Sequence, residues 1–246
     1  MSGQIEGRNP VLEALRAGRA LNRLLVARGA REGSIRQVVA LARERGVVVQ
    51  EVDRERLDAM AQGRNHQGVI ALAAAHRYHD LDDLLARAAA SGEDPLLLVL
   101  DGIEDPQNLG SLLRTADAAG VHGVIIPERR AVGLTETVAK VSAGAVEYVP
   151  VARVTNIART LDTLKERGYW VVGTHQDGRE LYYEARLTGP LAVVIGSEGK
   201  GMSRLVREKC DFVVRLPMLG HVTSLNAAVA GAILVYEIRR QRSSTG

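Results

Sequence analysis

Three separated segments hold the side chains best placed to do chemistry. Asn108-Leu109-Gly110 is followed by Arg114, Gly196-Ser197-Glu198-Gly199 runs on to Gly201, and Pro217-Met218 leads to Ser224-Leu225-Asn226. Each sits where a strongly apolar run gives way to a helix-like pattern. In an open α/β sheet that edge, outside the carboxyl ends of the strands, is where ligands bind. The segments lie far apart in sequence, so only folding can assemble them into one site.

In the first segment Leu109, Leu112, Leu113 and Ala116 form an apolar stripe at helical spacing, and Asn108 ahead of it reads as an N-cap. Arg114 lies off that stripe. Helical side chains lean toward the helix N-terminus, which carries this guanidinium back over the first turn, beside N–H groups suited to a phosphate or ribose oxygen. Surface pairing with Asp117, three residues on, explains the same arginine without any function. In the second segment three glycines allow a sharp turn and close backbone approach to a ligand, and Glu198 places a carboxylate inside it. The spacing matches neither the P-loop nor the dinucleotide fingerprint, so ATP and NAD sites are poorly supported. In the third, Ser224 reads as the N-cap of a helix that opens Ala227-Ala228-Val229-Ala230-Gly231-Ala232. Residues this small suit a buried helix, a close dimer contact or a chain threaded near itself. There is no H-E-x-x-H and no G-x-S-x-G. His76 and His79 have metal-like spacing but no carboxylate partner; they and His122 read as solvated, and no metal site is expected.

The elements that must position these residues follow from the apolar pattern. From Leu96 onward the apolar runs are continuous: Leu96–Leu100, Val124–Ile126, Tyr148–Val151, Trp170–Val172, Leu191–Ile195 and Phe212–Val214. Such runs fit strands of a parallel sheet buried on both faces. Helical patterns separate most of them, at Leu109–Ala119, Thr135–Ser142, Ile157–Arg167 and Arg204–Lys209, and a last helix follows from about Leu225 to Arg240. The first 76 residues also alternate: helices at Asn9–Ala17, Ile35–Arg45 and Arg54–Met60, strands at Leu24–Ala27, Val47–Val49 and Gly68–Ala74. The predicted organisation is a small α/β domain over residues 1–76, a linker over 77–95 with an Ala-rich helical middle, and a larger α/β domain over 96–246.

At 246 residues the chain has ample material for a core. Its net charge of +3 is unevenly spread: residues 1–76 hold 12 Arg against 8 Asp and Glu, while the remainder is close to neutral. An Arg-rich small domain suits RNA docking, since the guanidinium forks onto phosphate and stacks on bases; genome-driven arginine usage explains the same charge blandly. The lone Cys210 rules out an intramolecular disulfide and a cysteine-based zinc cage. No apolar stretch approaches the roughly 18 residues of a membrane span, and the N-terminal residues form no signal-peptide core. A soluble cytoplasmic protein is expected.

Taken together, the three segments resemble the signature motifs of the SpoU (TrmH) branch of the SPOUT RNA methyltransferases. N-x-G-x-x-x-R is met by Asn108, Gly110 and Arg114, the glycine-rich motif by Gly196, Glu198 and Gly199, and the third by Pro217, Met218, Ser224, Leu225 and Asn226. Gly7-Arg8-Asn9-Pro10-Val11 with Glu13-Ala14-Leu15, then His66-Gln67-Gly68-Val69, are similar to the N-terminal substrate-binding domain of the RlmB group, as is Thr155-Asn156 with Ala158–Leu161. Ala227-Ala228 departs from the family, which more often has a Val-Ser pair.

The resemblance implies a C-terminal parallel-sheet domain tied into a deep trefoil knot, a small L30e-like RNA-binding domain ahead of it, and a homodimer that completes the active site. It implies S-adenosylmethionine as cofactor, held by Thr174-His175, by Ile195, Gly196 and Gly199, and by Leu216 and Met218, closed by Ser224 and Leu225. Arg114, Asn108, Glu198, Ser224 and Asn226 become the catalytic set. The implied reaction is 2′-O-methylation of a guanosine ribose in the peptidyl-transferase P loop of 23S ribosomal RNA. Transfer-RNA guanosine methyltransferases of the same branch share all three motifs and are the alternative substrate reading. Two other classes compete: a non-catalytic RNA-binding protein on this fold, which the intact polar set argues against, and a nucleotide-dependent oxidoreductase, which the missing fingerprint argues against.

Overall fold

The computed structural model describes residues 3–30, 33–74 and 76–243. They fall into two compact units: one takes the chain up to Arg77 together with Gly133–Glu136, the other takes Tyr78–Val132 and the chain from Thr137 on.

The first unit runs β1 (Gln4–Glu6), α1 (Arg8–Arg16), β2 (Leu21–Ala27), α2 (Gly33–Glu44), β3 (Val49–Val52), α3 (Arg54–Ala61) and β4 (Val69–Ala73). The sheet order is β1-β4-β2-β3, with β2 and β3 parallel and the other pairs antiparallel. Strand side chains alternate between faces, and β2 uses both. Leu24 and Val26 pack with Val11 and Leu15 of α1 and Ile35 and Val38 of α2, while Leu25 and Ala27 pack with Leu57 and Ala61 of α3.

The second unit adds α4 (Leu81–Ala89), β5 (Leu96–Asp101), α5 (Pro106–Ala118), β6 (Gly123–Pro127), α6 (Glu136–Val141), β7 (Val151–Val154) and α7 (Ile157–Glu166), with α6 beginning at the boundary between the units. It continues with β8 (Trp170–Thr174), β9 (Glu180–Leu181), β10 (Leu191–Gly196), α8 (Arg204–Lys209), β11 (Phe212–Arg215) and α9 (Ala227–Ser243). All seven strands are parallel, in the order β7-β6-β5-β10-β8-β11-β9. The central pair β5 and β10 is buried from Leu96 to Leu100 and from Leu191 to Ile195, which is why both read as unbroken apolar runs. One face is covered by α4, α7 and α8 through Leu84, Leu85, Leu161, Leu164 and Val206. On the other, α5 packs closely on α9: a Cβ at Gly231 would come 2.6 Å from Leu112 Cδ2 and 3.5 Å from Ile195 Cγ1.

Several expectations need correction. The linker expected over 77–95 is, from Tyr78 on, part of the second unit. The helix α4 buries Leu84, Leu85 and Ala88 in the core of the second unit, and Leu84 packs so close to Gly123 that a Cβ there would lie 2.6 Å from Leu84 Cδ2. Polar flanks hide that apolar stripe. The strand expected at Tyr148 begins at Val151, because the chain first makes a 3-10 turn over Ala145–Glu147 that leaves Tyr148 exposed. His122 is half-buried rather than solvated: its Nδ1 accepts the Leu96 N–H at 3.0 Å, and burial lowers its pKa.

Candidate active site and cofactor pocket

The glycine-rich segment leaves β10 and doubles back as a tight hairpin. Ser197 and Gly201 exchange both backbone hydrogen bonds, at 3.0 and 2.8 Å, with Glu198-Gly199-Lys200 at the tip. Gly196 is required by the returning chain: a Cβ there would lie 2.2 Å from both Gly201 C and Met202 N, backbone atoms that cannot move aside. Gly199 and Gly201 adopt φ of 79° and 65°, the left-handed region that glycine enters without a Cβ penalty.

This hairpin walls a pocket beyond the carboxyl ends of β8, β10 and β11. Thr174, His175, Ile195, Gly196, Gly199, Leu216, Met218, Ser224 and Leu225, the nine positions expected from sequence, all line it. Gln176, Ser197, Glu198, Lys200, Gly201, Thr223, Ala227 and Ala230 complete the lining. The space is about 790 Å³ with its open mouth included, within the range of small-molecule sites. Ile195, Leu216, Met218 and Leu225 give apolar walls, Thr174 and Ser224 give hydroxyls, and the glycines expose backbone. Such a lining fits a nucleoside joined to an amino acid.

Beside the pocket runs a chain of three polar side chains. Asn226 directly precedes α9, and its Oδ1 accepts the N–H groups of Ala228 and Val229 at 2.9 and 3.2 Å. It is therefore the N-cap, in place of the expected Ser224. Because its oxygen is committed to the helix, its Nδ2 is left to donate, and it donates to Asn108 Oδ1 at 2.7 Å. Asn108 Nδ2 then donates to Glu198 Oε2, at a longer 3.5 Å. The end of α9 thus sets the polarity of the whole chain.

Asn108 is not an N-cap either. The helix α5 starts two residues earlier, with Pro106 in its first turn and Asp105 as cap, accepting the Gln107 N–H at 3.1 Å. Asn108 lies inside the first turn, 6% exposed, its amide turned into the site. Gly110 lets that helix approach its neighbour, since a Cβ would lie 2.6 Å from Val141 Cβ. Arg114 stands apart. It is exposed, lines neither this pocket nor the cleft beside it, and makes no hydrogen bond or ion pair among the described residues, Asp117 included. Cys210 lies behind the hairpin near Met202, and burial pushes its thiol up to about 12, so it is no nucleophile. No group of metal-ligating side chains occurs among the described residues, and none of the described helices is long and apolar enough to cross a membrane.

The site is thus a small-molecule pocket built from backbone loops at the edge of a parallel sheet, with an oriented amide–carboxylate chain beside it. The chain belongs to the SpoU rRNA methylase family, whose sequence profile matches residues 95–236. A second profile, for the substrate-binding domain of RNA 2′-O-ribose methyltransferases, matches residues 4–79. The Bacillus subtilis (strain 168) protein YacO, assigned to the TrmH family of tRNA/rRNA methyltransferases, is 55% identical over 98% of this chain and 96% of its own. Among solved structures, the SpoU methyltransferase AviRb from Streptomyces viridochromogenes, in complex with AdoMet, superposes with a TM-score of 0.63. It is 28% identical over 98% of this chain and 90% of its own. The AdoMet-bound rRNA methyltransferase from Sinorhizobium meliloti gives 0.61, at 28% identity over 96% and 86%. The chain is a methyltransferase acting on RNA 2′-oxygens, and S-adenosylmethionine is its methyl donor.

Proposed function

We propose that this enzyme methylates the 2′-oxygen of a guanosine in the peptidyl-transferase P loop of 23S ribosomal RNA, in the cytoplasm, as a homodimer. The observation that carries the reading is the Asn226–Asn108–Glu198 chain, which joins all three motifs beside a pocket of cofactor size. The Arg-rich first unit, matched as a substrate-binding domain, favours a large folded RNA over a small substrate. The sheet order, with β10 inserted between β5 and β8, suits the threaded C-terminal region that the family resemblance implies.

The residue roles follow from the chemistry. A bound S-adenosylmethionine supplies a methyl group on a sulfonium, already a good leaving group. The protein must therefore act on the ribose hydroxyl, a poor nucleophile at neutral pH. Thr174, His175, the hairpin and the Leu216–Met218 segment hold the cofactor, and Ser224 and Leu225 close over it. Arg114 orients the hydroxyl and stabilises charge developing on its oxygen, because a guanidinium is a strong hydrogen-bond fork and a poor base. Its exposure and lack of any partner among the described residues of its own chain suit action on the neighbouring subunit's site. Exposed Val229 and Tyr236 on α9 supply apolar surface for that contact. Asn108, Glu198 and Asn226 fix the geometry.

Transfer of tritium from labelled S-adenosylmethionine to separated ribosomal and transfer RNA, with mapping of the labelled ribose, tests the proposal. Label on a 23S P-loop guanosine supports it. Label on transfer RNA alone, or none, overturns it.

A further inference from the structure

A second, wider cleft adjoins the cofactor pocket, and the glycine hairpin is the wall between them: Ser197, Glu198, Lys200 and Gly201 line both. The remaining walls come from the loops that leave β5, β6 and β7, carrying Glu104, Arg129, Arg130, Thr155 and Asn156, and from Met202, Ser203, Leu205 and Val206 at the start of α8. Every lining residue belongs to the second unit.

The charges in this cleft are engaged unequally. Asp101 accepts the Ser203 N–H at 2.6 Å, Asp105 caps α5, and Glu198 accepts the Asn108 amide. Glu104 is exposed and offers an acceptor to a base N–H. Arg129, Arg130 and Lys200 are exposed, and their side chains have no ion pair or hydrogen bond among the described residues. Arg130 also holds φ at 56°, in the left-handed region where a bulky side chain is uncommon. Such strain gathers at ligand-binding turns. An unpaired pair of guanidiniums on such a turn is placed for an anion from outside the chain.

We propose that this cleft seats the target nucleotide, with Arg129, Arg130 and Lys200 holding the RNA phosphates that flank the methylated ribose. The inference rests on the RNA-methyltransferase reading above. A ribose oxygen must reach the methyl group from outside the cofactor pocket, and the hairpin is the partition the two cavities share. Asn108 lines this cleft and not the pocket, so the polar chain that ends on Glu198 faces the incoming sugar. Guanidinium forks match phosphate oxygens bidentately, and Lys200 adds a point charge at the wall itself. On the loop after β7, the Asn156 Oδ1 is spent on the Arg159 N–H, which leaves its Nδ2 and the exposed Thr155 hydroxyl for the base.

The test uses the full-length protein carrying Arg129→Gln and Arg130→Asn together. Asparagine tolerates the left-handed backbone, and neither position lines the cofactor pocket, so calorimetric titration with S-adenosylhomocysteine should match wild type and report an intact fold. Binding of deproteinised large-subunit ribosomal RNA is then followed across salt concentrations, and methyl transfer is measured separately. RNA affinity should fall about tenfold or more, and the slope of log K against log salt should flatten by roughly 0.7–0.9 for each phosphate no longer held. Wild-type RNA affinity with an unchanged salt slope would overturn the clamp. If wild-type protein transferred no methyl group to any RNA while the double variant still flattened the slope, the enzymatic reading would fail and the phosphate site would stand.

Discussion

Asn226 does two jobs with one amide, and a pair of substitutions separates them. Its Oδ1 caps α9 and its Nδ2 holds Asn108. Asn226→Ala removes the cap, worth about 1 kcal/mol. It also leaves Asn108 Oδ1 without its donor in a residue 6% exposed, which costs about 1–3 kcal/mol. A total of roughly 2–4 kcal/mol corresponds to a Tm drop of about 4–16 °C in a chain of this size. Asn226→Asp keeps both cap contacts and adds a charge favoured at a helix N-terminus by about 0.3–1 kcal/mol. That gain offsets part of the lost donor and the cap is kept, so its Tm should fall clearly less than that of Asn226→Ala. The polarity of the chain does not survive. A carboxylate at 226 faces the Asn108 oxygen, and if Asn108 flips to meet it, that oxygen turns on the Glu198 carboxylate. Turnover should fall at least about tenfold, equivalent to about 1.4 kcal/mol of positioning. Differential scanning calorimetry and methyl transfer to RNA at saturating cofactor read the two effects apart. Wild-type turnover in Asn226→Asp would refute the reasoning about the amide chain, and equal loss of Tm in both variants would refute the cap.

Arg114→Ala should leave S-adenosylhomocysteine affinity unchanged and cut turnover by about a hundredfold or more, the scale of losing one charge-stabilising donor. Arg114→Lys should stay low, and wild-type turnover in Arg114→Ala would remove the residue from the mechanism. Mixing Arg114→Ala chains with a cofactor-loop variant should restore part of the activity if subunits share sites, and no restoration speaks against sharing. Cys210, with its thiol raised by burial, should resist iodoacetamide at pH 8 in the folded protein and react on unfolding; rapid labelling of the native chain would contradict its burial. Hydrogen bonds and charge from Arg239 hold the Glu93 carboxyl below the usual range, and Arg240 does the same for Glu237. Both folded values are depressed, so the stabilisation is present above the ordinary carboxylate pKa and is lost as pH falls through the folded values. Glu93→Gln should therefore lower Tm at pH 7 and have a smaller effect near pH 3, and an equal effect at both would refute the pairing.

Strands buried on both faces announce themselves as continuous apolar runs, so β5, β6, β8 and β10 are legible in the sequence, and β11 is legible as an apolar run although only its Val214 is buried. The edge elements are not. The three-residue β1 and two-residue β9 carry too little pattern to register, and they exist because a neighbouring strand offers them hydrogen bonds. The stripe of α4 at Leu84, Leu85 and Ala88 is lost between polar flanks that local pattern assigns to a linker. Topology is less legible still, because nothing local in Leu191–Ile195 says that it will lie between β5 and β8.

In the site, the two misread caps are the informative cases. Asparagine and serine next to an apolar helix satisfy every local rule for a cap, so local rules assign Asn108 and Ser224 to the helix ends. Helix starts are set by more than the cap candidate. Pro106 fixes the first turn of α5 and Asp105 accepts the Gln107 N–H, so Asn108 falls inside that turn with its amide unspent on the cap. At α9 the cap and the donor are the same residue, Asn226, which leaves the Ser224 hydroxyl to the pocket. Two side chains that the cap rules would hold at the helix ends thereby line the cleft and the pocket instead. A polar side chain that local rules can fully explain is therefore the one whose partner has to be sought in three dimensions.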